Sequence, residues 1–174
     1  MEDKNRARSS AQSTLQHIQA LHQLHSVLPW DMITQLRALP PAGNKWMSAV
    51  ICEIPWDDLD DKDDLREHIE ERVQEMPLSV TVRSGWHTPG ASDNEPEEFC
   101  ILMSTGGPAV RIYGELDHYK CPYRPQLQGQ DWFTPWETFN TSQAEDEALK
   151  WFCGCFYFGE YTAHKNWSPE TELT

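Results

Sequence analysis

The segment 99–116 constrains the fold more than any other part of the chain, because it combines two strand patterns with a very short turn. Residues 99–103 form an entirely apolar run, which is typical of a buried central strand. Residues 109–116 alternate apolar and polar side chains, as in a strand that is half buried. Gly106, Gly107 and Pro108 lie between the two runs, and such residues favour hairpin turns. The sequence therefore predicts an antiparallel hairpin.

A glycine-rich turn can also hold a phosphate group, but this turn lacks the other parts of such a site. A phosphate-binding loop leads into the N-terminus of a helix and supplies a lysine or a hydroxyl group. Residues 109–116 have the pattern of a strand instead. We therefore expect a simple hairpin turn at this position, and no cofactor in the protein.

Several further segments have the periodicity of regular secondary structure. Alternating β-branched residues predict a strand over 78–83, and a fourth strand is predicted near 127–133. Apolar residues at helical spacing predict helices over 10–28, 32–39, 62–75 and 145–156. Together these elements predict an α+β fold, in which an antiparallel sheet of three to four strands is flanked by an acidic helix, a C-terminal helix and an N-terminal helical arm.

Two consecutive prolines suggest where the chain is divided. Proline has no amide proton and disfavours the helical conformation of the residue before it, so Pro40 and Pro41 are expected to end the second helix. We predict a boundary at this point, with a helical arm over 1–43 and an acidic α+β domain over 44–174.

The charge of the chain limits the partners that it can bind. It has 14 lysine and arginine residues against 28 aspartate and glutamate residues, which gives a formal net charge of −14. Such a balance disfavours direct binding to nucleic acid or to an anionic membrane surface, since both require a basic footprint. The expected partner is a basic surface on another protein complex, and a homodimer is left open.

Two features of the sequence bear on location. No apolar run approaches the length of about 18 residues that a membrane span requires, and the first residues lack the apolar core of a secretory signal. We therefore expect a cytoplasmic protein that does not contact the membrane.

The predicted helix 62–75 carries apolar and acidic residues on opposite sides. Its apolar stripe consists of Leu65, Ile69, Val73 and Met76. The opposite face holds Asp63, Asp64, Glu67, Glu70, Glu71 and Glu75. Residues three or four positions apart on a helix lie about 5–6 Å from each other, which is similar to the separation of phosphates along a nucleic-acid strand. We predict that this face binds the partner, the alternative being an acidic face that is only solvated.

A second acidic patch and a possible polar site follow the helix. The patch consists of Asp93, Glu95, Glu97 and Glu98, and we predict that it also contacts the partner. The possible polar site consists of Arg83, Trp86, His87, Arg111 and Glu115. A histidine can transfer protons near neutral pH, and an arginine can bind a carboxylate or phosphate group. The alternative is a surface loop held by an ion pair.

Two cysteines near the end of the chain and the aromatic residues of 132–139 are expected to have structural roles. Cys153 and Cys155 are separated by one residue, whereas zinc-binding pairs are usually separated by two to four. We expect both to be buried in the core and to bind no metal, and we identify no catalytic residue. The aromatic residues of 132–139 are expected to serve as core or lid.

Four motifs resemble those of small acidic proteins encoded by bacteriophages and bacterial mobile elements. The motifs are VRSGWHTPG, EFCILMSTGGPAVRIYGELD, QDWFTPW and CFYFGE, which lie within 78–160. The resemblance implies a setting in the cytoplasm of a host bacterium. Acidic phage proteins of this size are often inhibitors of host defence, including DNA mimics of the anti-restriction and anti-CRISPR type. The resemblance implies no residue roles.

Two functions remain open at this point. In the first, the chain is a non-enzymatic inhibitor that covers a basic surface on a host complex that handles nucleic acid. In the second, the residues around Trp86 and His87, with Arg83 and Arg111, form the site of a small-molecule enzyme or binding domain. Carboxylates on a convex surface favour the first function, whereas a deep pocket that contains His87 and an arginine favours the second.

Overall fold

The computed structural model of the chain describes residues 4–38, 44–86, 88–90 and 95–159. Its helices are α1 (Lys4–His22), α2 (Trp30–Ala38), α3 (Lys45–Glu53), α4 (Lys62–Glu75) and α5 (Gln143–Gly154). A π-helical turn, Gln23–Val27, follows α1, and a 3-10 turn, Trp56–Asp58, precedes α4. The strands are β1 (Ser79–Arg83), β2 (Glu98–Ser104), β3 (Ala109–Leu116), β4 (Pro122–Gln130) and β5 (Glu137–Thr138).

The strands form one antiparallel sheet in the order β1-β2-β3-β4-β5, which confirms the α+β class. The central hairpin is present, with Ile101 paired to Ile112 and Gly106 at a positive φ of 105° in its turn. The predicted number of strands was too low. β4 begins at Pro122, whereas the prediction placed its start near 127. The first residues of the strand lack the alternating pattern, so they were not recognised as part of it. β5 has only two residues and gives no periodic signal.

One face of the sheet packs against helices and forms the core. Phe99, Ile101, Ile112 and Leu127 point to this face and are at most 2% exposed. Helices α1 and α5 contact β4 and each other, and α1 also contacts β3. The buried residues of α1 thus belong to the same hydrophobic cluster as the sheet. The predicted boundary between an arm and a domain falls in 39–43, outside the described residues.

Helix α4 has the bounds that its sequence predicts. The Asp61 side chain accepts hydrogen bonds from the amides of Asp63 and Asp64, and the Asp64 side chain accepts one from the Asp61 amide, which completes a capping box. This reciprocal arrangement satisfies free amides at the helix N-terminus. Leu65 and Ile69 are fully buried, so the apolar stripe of α4 joins the core.

Helix α3 was missed by the sequence analysis. Its N-cap residue is Asn44, whose side chain accepts a hydrogen bond from the Met47 amide at 3.0 Å. Met47, Val50 and Ile51 are buried, and the helix packs beside α1. The helix has only nine residues, fewer than the roughly 11–18 over which helical periodicity is judged.

Candidate functional site

Helix α4 exposes an inclined row of carboxylates on the side that faces away from the core. Asp63, Glu67, Glu71 and Glu75 are all exposed and succeed one another at intervals of four residues. We call these four residues the acidic stripe. Like charges at this spacing repel each other, which destabilises a helix by roughly 0.2–0.5 kcal/mol per pair. Only Asp63 has a described ion pair, with Arg66 at 2.8 Å.

The exposed carboxylates continue beyond the N-terminus of α4. Asp57, Asp58, Asp60 and Asp61 lie in the 3-10 turn and the loop that follows, and all four are exposed. Arg37 pairs with Asp57 at 3.3 Å, but the Asp57 side chain is 99% exposed. An exposed pair of this kind contributes only about 0–1 kcal/mol to stability. A partner can therefore reach the Asp57 carboxylate and displace Arg37 at little cost in free energy.

Two of the predicted partner-binding residues of α4 have contacts within the protein. The Asp64 carboxylate accepts hydrogen bonds from the amides of Asp60 and Asp61, at 2.8 Å and 3.3 Å. Glu70 is 2.8 Å from the ring nitrogen Nε2 of His25, which lies in the π-helical turn. Both residues therefore have a structural role that sequence reasoning did not identify.

The second acidic patch lies at the start of β2, and Asp93 is outside the described residues. Lys120 pairs with Glu95 at 2.6 Å, and this hydrogen bond lowers the pKa of the Glu95 carboxyl. Glu98 pairs with Arg83 on β1. The Glu97 carboxylate lies against Gly85, so closely that a Cβ atom on Gly85 would overlap it. Two of the three described carboxylates of this patch are thus paired, whereas three of the four in the acidic stripe have no described ion pair.

Three residues of the predicted polar site meet in one cleft at the end of β1. The cleft has a volume of about 770 Å³, and Arg83, Trp86 and Glu115 line it together with Glu97 and Glu98. The sheet register explains this grouping, because Arg83 pairs with Glu98 and Glu98 with Glu115 across three neighbouring strands. His87 lies outside the described residues.

Glu98 is the centre of a hydrogen-bond network that the sequence analysis missed. Its carboxylate accepts hydrogen bonds from the hydroxyl of Tyr113 and from the guanidinium of Arg83. The hydrogen bond from Tyr113 and then the pairing with Arg83 lower the pKa of Glu98, although partial burial acts in the opposite direction. The same bond raises the pKa of Tyr113, and Glu98 raises the pKa of Arg83. Near neutral pH, Glu98 is therefore a paired carboxylate and Tyr113 a protonated phenol.

Arg111 lies outside this cleft, although it shares a face of the sheet with Tyr113. Its guanidinium carbon is 4.1 Å from the ring centre of Trp136 and 5.3 Å from that of Tyr113. Arg111 Nε also donates a hydrogen bond of 2.8 Å to Gln128. The alternation of β3 could have placed Arg111 and Tyr113 on one face, but nothing in the local pattern indicated Trp136 or Gln128.

The cysteines occupy different environments. Cys153 is fully buried, and burial raises the pKa of its thiol. Cys155 is only half buried rather than buried as expected, and desolvation raises its pKa to about 11. Both thiols therefore stay protonated near neutral pH, which makes them poor nucleophiles. Within the described ranges, no three histidine, cysteine, aspartate or glutamate side chains converge as metal ligands.

The aromatic residues near the β4–β5 turn do not all pack as expected. Trp132 is 65% exposed and Phe133 is fully exposed, so the prediction of core or lid was wrong for these two residues. Trp132 lies against the turn of the central hairpin, where a Cβ atom on Gly107 would overlap its indole. Phe139 and Trp136 are half buried, since both pack on neighbouring parts of the sheet.

The remaining observations concern membranes and relatives. In the part of the chain that the structure describes, no helix combines the length and apolar character needed to cross a membrane. Comparisons with protein-family models, curated proteins and solved structures found no match to this chain.

Proposed function

We propose that the chain is a non-enzymatic binding protein whose acidic stripe covers a basic surface on its partner. The observation that carries this proposal is the row of four exposed carboxylates at Asp63, Glu67, Glu71 and Glu75. Their mutual repulsion lowers the stability of α4 without any compensating contact at the last three positions in the described structure. A cationic partner surface would relieve this repulsion and so gain binding free energy.

The partner that best fits this surface is a host protein complex that handles nucleic acid. The intervals within the stripe are similar to those between phosphates along one strand, and the formal net charge of −14 favours a basic partner. Together with the resemblance to acidic phage proteins, these features support an inhibitor of the anti-CRISPR or anti-restriction type. The protein would act as a DNA mimic in the host cytoplasm, without touching nucleic acid itself.

The second candidate is a small-molecule enzyme or binding domain at the cleft. The alignment of Arg83, Glu98 and Glu115 beside the exposed Trp86 favours a ligand site there. Catalysis would depend on Glu97 or Glu115, because Glu98 and Tyr113 are occupied by each other and by Arg83. A general base needs a free acceptor within reach of the substrate proton. Turnover that is lost in a Trp86→Ala or Glu115→Gln variant would favour this candidate.

The experiment that tests the first proposal combines capture with charge reversal. The full chain is used to capture its partner from a bacterial lysate, and the complex is titrated at low and high salt. The triple variant Glu67→Lys, Glu71→Lys and Glu75→Lys should bind much more weakly at low salt, and duplex DNA should compete with the parent chain. These residues are suitable because all three are exposed and none has a described side-chain hydrogen bond or ion pair.

A matched control separates the acidic stripe from the overall charge. Replacing Asp31, Glu137 and Glu147 by lysine changes the net charge by the same amount, from −14 to −8, since each replacement adds two positive charges. This control variant should retain most of the binding. Equal weakening in both variants, or binding that DNA does not compete with, would contradict the proposal.

A further inference from the structure

Strand β1 is an exposed edge of the sheet. It pairs with β2 on one side, and no other described strand lies on its other side. Every residue of β1 is exposed except Val82, which is half buried. Leu78 and Val80 are 59% and 40% exposed, so apolar surface lies beside the free edge. A free edge presents unpaired backbone amides and carbonyls, which a further strand can bind.

The residues of β1 do little to prevent such pairing. Natural edge strands are usually protected by a proline, a bulge or an inward-pointing charge. β1 contains three consecutive β-branched residues at 80–82, and its only charged residue is Arg83 at the last position. The opposite edge is different, because β5 has only two residues and one of them is Glu137. The edge that can accept a strand is therefore β1.

Charge at the end of β1 indicates which kind of segment would fit. One arginine and three glutamates line the cleft there, and Glu98 already pairs with Arg83. Glu97 and Glu115 remain without an ion pair in the described structure. The Trp86 side chain beside them is fully exposed. Carboxylates next to an exposed indole favour a cationic side chain, since the face of the indole also attracts a cation.

We propose that β1 binds an extended segment of a protein partner by strand addition, with a lysine or arginine of that segment in the cleft beside Trp86, Glu97 and Glu115. The backbone of the segment would supply affinity, and its alternate side chains would supply specificity. Apolar side chains on one face would cover Val80 and Val82. This inference deepens the proposed function and rests on it, because the segment belongs to the same basic partner.

A second copy of the chain fits this edge less well. Each copy carries a net charge of −14, so two copies repel each other over the whole surface. Antiparallel pairing of two β1 strands about Thr81 would place Arg83 of each copy beside the start of the other strand. No cation would then reach Glu97 or Glu115. A basic segment compensates these charges, and a second copy does not.

The test uses the full chain and a short synthetic peptide in which valine alternates with threonine and lysines occupy both ends. With a lysine at each end, the peptide can place a cation in the cleft whether it pairs parallel or antiparallel to β1. Hydrogen exchange should slow at the β1 amides, and a titration should give a dissociation constant. A peptide with glutamates in place of the lysines should bind at least about tenfold more weakly, a difference of about 1.4 kcal/mol.

Two variants with matched chemistry identify the binding edge. Val80→Lys places a charge on the edge strand and should weaken peptide binding about tenfold or more. The control is Val27→Lys, the same substitution at a valine that is 59% exposed in the π-helical turn, and it should leave binding unchanged. Circular dichroism and a melting curve establish that each variant is folded before binding is measured.

Several outcomes would overturn the inference. Equal binding of both peptides, equal binding by Val80→Lys, or protection confined to amides outside β1 would each do so. Slow exchange at β1 in the free protein would show that the edge is already covered. If sedimentation then gave a dimer that Val80→Lys dissociates, the occupant would be a second copy. If the protein stayed monomeric, the occupant would be another segment of its own chain.

The two proposals fail independently. If the peptide binds β1 but charge reversal at the acidic stripe leaves partner capture unchanged, the proposed function is wrong and strand addition stands as a separate property. If charge reversal abolishes capture but Val80→Lys affects neither capture nor peptide binding, the acidic stripe alone explains recognition and the edge is not a binding site.

Discussion

The indole nitrogen Nε1 of Trp151 donates a hydrogen bond of 3.2 Å to Nδ1 of His25, which joins α5 to the π-helical turn after α1. An indole can only donate, so Nδ1 is the acceptor and the proton of neutral His25 lies on Nε2. That nitrogen is 2.8 Å from the carboxylate of Glu70 on α4. One imidazole ring therefore links three helical elements and holds the helix that carries the acidic stripe.

Replacing His25 by alanine should destabilise the protein by about 1–3 kcal/mol, because the Trp151 indole and Glu70 both lose their partner. Urea unfolding followed by circular dichroism measures the change. His118→Ala is a suitable control, since His118 is exposed and stacks only on Tyr119 in the described structure. Equal unfolding midpoints for the two variants would contradict a linking role for His25.

Acidification should destabilise the fold through His17 and His22. Burial lowers the pKa of both residues below the ordinary value of 6.5; Arg72 lowers the pKa of His17 further, and His25 that of His22, although Glu147 acts in the opposite direction on His22. The unfolded chain therefore binds more protons than the folded one as pH falls below about 6.5, so stability decreases. The decrease continues until pH reaches the lowered pKa of the folded state.

A double variant, His17→Gln and His22→Gln, checks this prediction. Its melting temperature should fall less than that of the parent between about pH 7.5 and pH 5, because glutamine does not titrate. The decisive quantity is the difference in pH dependence between the two proteins, since other groups contribute equally to both. Parallel curves would show that neither histidine is responsible.

Replacing Tyr113 by phenylalanine should raise the pKa of Glu98 toward its ordinary value. The hydroxyl of Tyr113 is the main cause of the lowered pKa, and its loss leaves only the pairing with Arg83. A carboxyl whose folded pKa is lowered stabilises the fold above its unfolded pKa, and this contribution disappears as pH falls through the folded value. The variant should therefore lose less stability between about pH 5 and pH 3. An NMR titration of the Glu98 carboxyl carbon measures the shift directly.

Asp61→Ala should destabilise the protein by about 0.5–2 kcal/mol, because it removes the N-cap of α4. Glu71→Gln should instead stabilise α4 by a few tenths of a kcal/mol, since it relieves repulsion within the acidic stripe. Thermal unfolding of both variants, with Asp58→Ala as the control, measures these opposite changes in stability. Asp58 is exposed and its side chain caps no described helix, so its replacement should change little. If Glu71→Gln lowered the melting temperature, repulsion within the acidic stripe would not be the main effect of Glu71 on the stability of α4.

Sequence reasoning succeeded where the determinants of structure are local. The apolar spacing of α4 and the short turn of the central hairpin lie within single segments, so their periodicity was visible. Contacts between distant segments leave no such periodic pattern, so the sequence did not reveal them. The joining of Arg83 to Glu98 and Tyr113 depends on the register of three strands, and the packing of Arg111 on Trp136 depends on a loop.

The same distinction explains which contacts of the predicted site residues sequence reasoning did not identify. Asp64 and Glu70 were grouped with the acidic stripe because helical spacing places them near it, but one caps α4 and the other binds His25. Trp132 and Phe133 were expected to serve as core or lid. Both are exposed at the β4–β5 turn, where no described helix covers them.

The order of elements has a consequence for how the protein forms during its synthesis. Each strand pairs with the next one along the chain, so the sheet can assemble as successive hairpins while translation continues. Helix α1 precedes the sheet, yet besides its early contacts with α3 and the π-helical turn it contacts β3, β4 and α5, which are made later. Its apolar side therefore stays without its final packing until α5 has left the ribosome. Until then, the part of α1 that packs on the sheet and on α5 is apolar surface open to other proteins.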